Sequence, residues 1–175
     1  AYNRIICYDV LIQNSPIEPD TLRWVSSGQF CKVPLETKVH RKLIAACKDF
    51  TIWFPESEKA TEIELKIADI FVKAEQYQLA ETFLNRALVA ILKNDRGKQY
   101  YAKTLNMLAQ GSFKQDKFQQ AEKWYQLLIK SNPDSAGLIE KSKTMMASAS
   151  YKVAESLSEN GNASAAALKF ERAAA

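Results

Sequence analysis

The chain has 175 residues with 24 Lys plus Arg, 20 Asp plus Glu, one His, three Cys, five Gly and five Pro, an ordinary globular composition at 47% hydrophobic and 25% charged. So few Gly and Pro exclude a turn-rich β-sandwich of this length and favour long helices. A formal charge of +4 is too mild to hold nucleic acid by field alone, and no run approaches the roughly 18 consecutive apolar residues of a membrane span, the most apolar early stretch, 5–12, being broken by Asp9.

Residues 1–34 read as a divergent helical region. Helices are predicted over 4–12 and 21–30, parted by Asn14-Ser15-Pro16-Ile17-Glu18-Pro19-Asp20, where two prolines and capping residues force a break. Residues 35–54 (LETKVHRKLIAACKDFTIWF) then predict one long helix with Leu43, Ala46, Cys47, Phe50 and Phe54 on one side, ending at Pro55. Within 35–60 it reads as the second helix of a degenerate repeat.

From residue 61 the pattern repeats. In 61–92, Ile63, Ile67, Ile70, Phe71 and Ala74 form one helical face and Tyr77, Ala80, Phe83, Leu84, Ala87 and Leu88 a second. Only Ala74-Glu75-Gln76 lies between, so the two helices must be antiparallel neighbours. In 102–133, Leu105, Leu108, Ala109 and Ser112 face Phe118, Ala121, Tyr125, Leu128 and Ile129, with Pro133 closing the unit. In 148–175, Tyr151, Val153, Ala154 and Leu157 precede the turn Glu159-Asn160-Gly161-Asn162, and Ala163, Ala166, Phe170 and Ala173 follow it. Ala80, Ala121 and Ala166 occupy equivalent places 41 and 45 residues apart, with the extra length in 94–100 and 135–146. Phe54-Pro55-Glu56-Ser57 and Asn132-Pro133-Asp134-Ser135 each place a chain stop and a capping hydroxyl before the next helix.

These positions resemble the tetratricopeptide repeat, a 34-residue helix-turn-helix unit. Small residues stand where helices touch closely (Ala68, Ala80, Ala87; Ala109, Ala121; Ala154, Ala166, Ala173), and aromatics at Tyr77, Phe118, Tyr125 and Phe170 fill the holes between hairpins. The period is longer than the family's basic one, and the extended repeats resemble those of bacterial envelope proteins of the outer-membrane assembly lipoprotein and Tol-Pal coordinator types. The resemblance implies an all-α, right-handed superhelical solenoid of antiparallel helix pairs, with hairpins at about 61–94, 102–134 and 148–175. The whole would be one continuous array, and the chain can be a piece of a longer protein.

Such an array implies a concave groove made by the first helices of successive units. Taken residue by residue, its inward positions are Glu62, Leu65, Asp69, Val72 and Lys73, then Lys103, Asn106, Gln110, Phe113 and Lys114, then Tyr151, Lys152, Glu155 and Ser158. The expected partner-binding residues are Asp69, Lys73, Asn106, Gln110, Phe113, Lys114 and Tyr151. A clamp for a C-terminal carboxylate is not expected, because Asp69 and Gln110 replace its Asn and Leu65 its Lys. Trp24, Trp53 and Trp124, with Met145 and Met146, read as packing residues.

No catalytic constellation, cofactor site or metal site is expected. The one histidine, His40, sits among Lys38, Arg41 and Lys42 and stands about 10 Å of helical rise from Cys47, too far for a Cys-His pair. Glycine-rich phosphate loops, nucleophile elbows and paired metal-ligand spacings are missing from the sequence, and Cys7, Cys31 and Cys47 read as buried thiols. Glu56/Glu58 and Glu62/Glu64 read as acids favouring a helix start.

The expected function is therefore that of a non-catalytic scaffold binding another protein or peptide segment, with no small-molecule substrate. The alternative is a structural superhelical module of a larger enzyme or envelope machine. A remote third is RNA binding, prompted by ten Lys/Arg against four Asp/Glu over 96–152, although those lysines lack the regular aromatic partners that base stacking needs. The expected setting is aqueous, in the bacterial periplasm or the cytoplasm, with membranes reached only through a partner or an anchor elsewhere.

Overall fold

The computed structural model describes residues 35–94, 97–131 and 134–174. Seven α-helices run through the described residues: α1 (Leu35–Trp53), α2 (Glu58–Lys73), α3 (Tyr77–Asn94), α4 (Tyr101–Lys114), α5 (Phe118–Lys130), α6 (Ala136–Glu159) and α7 (Ala163–Ala174). A short 3₁₀ turn, Lys98–Tyr100, leads into α4, and no strand occurs among the described residues. The described residues are thus all-α. The expectations for residues 1–34, including Cys7, Trp24 and Cys31, lie outside the described residues, as does the His40 side chain.

The chain divides into two compact units, one ending at Ala90 and one running from Ile91. In the first, α1 buries Leu43, Ala46, Cys47 and Phe50, as its apolar stripe predicts. Phe54 shares that stripe but is half exposed, because the helix stops at Trp53 ahead of Pro55 and the stripe outruns its cover. Its ring still meets that of Phe50, 5.2 Å away. Trp53, expected in the packing, is instead 76% exposed.

Helix α2 starts as its sequence dictates, the Ser57 hydroxyl accepting the Lys59 N–H at 3.3 Å. It packs on α1 and also on α3, whose Phe83 ring stacks on Phe71 at 5.5 Å. A helix between two neighbours needs a wide apolar face, and α2 buries Ile63, Leu65, Ile67, Ala68 and Phe71. Leu65, expected on the groove, is therefore core.

In the second unit α4, α5, α6 and α7 pack in succession. Leu105, Leu108, Ala109, Ala121, Tyr125, Leu128, Ala149, Val153 and Ala154 form the core. The Ser135 hydroxyl caps α6 by accepting the Leu138 N–H at 3.3 Å. Residues 136–146, expected to hold extra length, are the first three turns of α6, which therefore starts well before the hairpin predicted from residue 148.

One turn recurs three times. The N–H of Gln76 donates to the Phe71 carbonyl at 2.8 Å, that of Lys117 to Ser112 at 3.0 Å and that of Asn162 to Leu157 at 2.9 Å. These are the long-range bonds of a helix C-terminal motif that needs a left-handed residue before the donor. That residue is Glu75 (φ 57°), Asp116 (φ 57°) or Gly161 (φ 76°). Each turn is followed at the same distance by a buried alanine, Ala80, Ala121 or Ala166, and preceded by Ala68, Ala109 or Ala154.

Candidate functional site

Helix α4 (YAKTLNMLAQGSFK) buries Thr104, Leu105, Leu108, Ala109, Gly111 and Ser112 on one side. At 100° per residue, Lys103, Asn106, Gln110, Phe113 and Lys114 are left together on the opposite side. Gln110 donates its side-chain N–H to Asn106 Oδ1 at 3.1 Å, one turn apart. Lys103 and Lys114 are exposed and make no ion pair among the described residues. Helix α4 contains no Asp or Glu.

Phe113 ends this face in a cleft of about 610 Å³, together with Ala147, Ser148, Tyr151 and Lys152 of α6 and Phe170 and Ala173 of α7. The cleft lies wholly within the second unit. Its walls are mainly carbon. The Phe113 ring meets Phe118 edge-on at 5.3 Å, and the Tyr151 ring meets Phe170 edge-on at 5.2 Å. Tyr151 remains 48% exposed, so one flank of its ring faces solvent. The Ser148 hydroxyl is turned onto its own helix, donating to the Thr144 carbonyl at 3.0 Å. Lys152 pairs at 2.7 Å with Glu155 on the same helix, an exposed pair of little energetic weight. Bonding to Glu155 also raises the Lys152 pKa.

The structure thus brings Phe113 and Tyr151 together, with Lys152 beside them. Asn106, Gln110 and Lys114 share the exposed face of α4 without lining the cleft. Asp69 and Lys73 belong to the first unit, where they pair with each other at 2.7 Å.

Phe170, Ala147, Ala173 and Ser148 were absent from the sequence-based set. The signal was there for Phe170: in an antiparallel hairpin, residues equidistant from the turn face each other. Tyr151 and Phe170 flank Gly161 nearly symmetrically, as Glu64 and Arg86 flank Glu75.

Two charged clusters elsewhere are structural. Glu64, expected among the acids of a helix start, is buried on the core side of α2 and pairs at 3.0 Å with Arg86 of α3. Burial raises its pKa; Arg86, the Thr51 hydroxyl and Lys48 act in the opposite direction. Its Oε2 has no hydrogen-bond partner among the described residues. In the second unit, Glu122 of α5 accepts from Lys169 of α7 at 2.6 and 2.7 Å and from Ser150 of α6 at 2.9 Å, tying three helices together. Among the described residues no group of three or more His, Cys, Asp or Glu is placed to hold a metal ion, and no helix is long and apolar enough to cross a membrane.

Comparison with known proteins assigns no relative: no family model matches the chain, and no curated protein and no solved structure matches it either.

Proposed function

We propose that the chain is a non-catalytic interaction scaffold of tetratricopeptide-like hairpins and that its second unit holds a segment of another protein in the Phe113–Tyr151–Phe170 cleft. The observation that carries this reading is the cleft itself: aromatic rings fixed edge-on against neighbours, one half open to solvent, beside a polar helix face. A preformed site of this kind costs the scaffold little ordering on binding, so a single apolar anchor can supply much of the affinity. The recurrent turn and the alanines in phase with it support the repeat reading.

The test is affinity capture from source lysate with the native chain beside a Phe113→Ala/Tyr151→Ala variant of matched thermal midpoint. A protein retained by the native chain and lost by the variant is the expected result. Equal retention by both would move binding off the cleft.

A second reading has its own observation. Ile52, Trp53 and Phe54 are exposed together at the end of α1, as are Val89 and Leu92 on α3, and apolar surface of this kind suits a structural module docked within a larger assembly.

A further inference from the structure

We propose that the segment held by the cleft is acidic: a peptide with one large apolar side chain, aromatic or long aliphatic, flanked by Asp or Glu. This rests on the cleft being a peptide site, and it adds the partner's chemistry.

Three observations converge. First, the volume of about 610 Å³ lies within the range of about 300–1,000 Å³ usual for ligand clefts, and the carbon walls from Phe113, Tyr151 and Phe170 offer no buried charge to pair with a polar group. An apolar side chain is what such walls accept.

Second, the surroundings are cationic by composition and by placement. Residues 91–175 carry thirteen Lys/Arg against eight Asp/Glu, whereas residues 1–90 carry eleven against twelve. The α4 face leading to Phe113 has Lys103 and Lys114 without ion-pair partners among the described residues and no acid on the whole helix. On the other wall Lys152 is held only by an exposed partner one turn away. Carboxylates flanking the anchor would meet Lys152 and Lys114 beside the cleft, and Lys103 about 15 Å of helical rise further along α4, where complementarity sets partner choice and association rate more than affinity.

Third, the Asn106–Gln110 bond uses one donor and one acceptor of the two amides. The Asn106 NH₂ and the Gln110 carbonyl have no other partner among the described residues, and this donor-acceptor pair matches a peptide main chain. Nucleic acid fits less well, since the cations follow one helix face rather than alternating with open aromatic faces on which successive bases could stack.

The experiment is selection of a random twelve-residue peptide library on the full chain. Fluorescence anisotropy then follows the selected peptide and a version with its acids replaced by lysine. Enriched peptides should share one large apolar residue with acidic flanks, and the lysine version should bind at least about tenfold more weakly. Lys103→Glu/Lys114→Glu should weaken the acidic peptide by a similar factor, as should raising salt from about 0.05 to about 0.5 M, which shortens the screening length severalfold. Tyr151→Ala should abolish capture; the residue is half exposed, and an unchanged circular dichroism melt checks that the variant folds.

Enrichment of neutral or basic peptides, or equal affinity for both charge versions, overturns the acidic assignment and leaves the peptide site standing. No enrichment overturns both. Oligouridylate bound by the native chain and lost in Tyr151→Ala would give the cleft to RNA. Concentration-dependent self-association lost in Trp53→Ala and in Tyr151→Ala alike would give it to a second copy.

Discussion

The two units treat one buried position differently. Glu64, Leu105 and Ser150 stand at the same distance before the left-handed residues Glu75, Asp116 and Gly161, and all are buried, at 5%, 0% and 4% exposure. In the second unit Leu105 needs no partner and the Ser150 hydroxyl donates to a carboxylate that Lys169 also holds. In the first, Glu64 has Arg86 on one oxygen and nothing described on the other. Backbone equivalence therefore fixes burial but not chemistry. The same place in a hairpin is a packing site, a satisfied polar link or a carboxylate under desolvation, according to what the facing helix supplies.

The strongest test of that equivalence is overpacking at the alanines in phase with the turns. Ala121→Leu should cost about 1–3 kcal/mol, since a fully buried alanine between packed helices leaves no room for a larger side chain. Ala80→Leu should cost a similar amount in the first unit. Calorimetric unfolding checks both, and an unchanged midpoint for either would break the equivalence.

Comparable in size, and specific to the first unit, is Arg86→Ala. It leaves the Glu64 carboxylate buried without its cation and should cost up to about 3 kcal/mol at neutral pH. Glu64→Gln should be far milder, because the half-exposed Arg86 then turns to water.

The pH dependence follows from the direction of the shift. The folded-state pKa of Glu64 is raised above the usual 4.5 by burial, so folding favours the protonated acid. Its contribution is complete below pH 4.5 and is withdrawn as pH rises through the higher folded value. Relative to the native chain, Glu64→Gln should therefore gain stability between pH 4.5 and neutrality, which chemical denaturation at a series of pH values measures. A gain confined to acid pH would contradict the desolvation argument.

Much of this architecture was legible in the sequence. The alanines 41 and 45 residues apart are all buried five residues after a helix-ending turn, and Ser57 and Ser135 mark two helix starts, because steric closeness and capping are local demands written in single residues. What was hidden depended on neighbours. Leu65 read as a groove residue until α2 proved to pack on both sides. Trp53 read as core on its residue type, yet it is 76% exposed at the end of α1, and residue type alone does not tell which side of a helix end is covered. Of the expected site, Phe113 and Tyr151 meet in one cleft, while the part of Phe170 needed the mirror relation across a hairpin turn, which periodicity along one helix does not express.

The smallest expected effect concerns Tyr125. It is 1% exposed, its hydroxyl has no described partner, and burial pushes its pKa up to about 12. Tyr125→Phe should leave stability unchanged or raise it by about 1 kcal/mol, because the variant drops a desolvated hydroxyl and keeps the ring. A substantial loss on denaturant titration would show that the hydroxyl is satisfied after all.

The recurrent turn also makes the chain its own gauge of opening. The amides of Gln76, Lys117 and Asn162 are each tied to a carbonyl five residues earlier, a bond that exists only while the end of the preceding helix is wound. Their deuterium uptake would time that unwinding hairpin by hairpin: three closely matched rates would mean that the helix ends open in one cooperative step, and three separate ones would rank the hairpins by local stability.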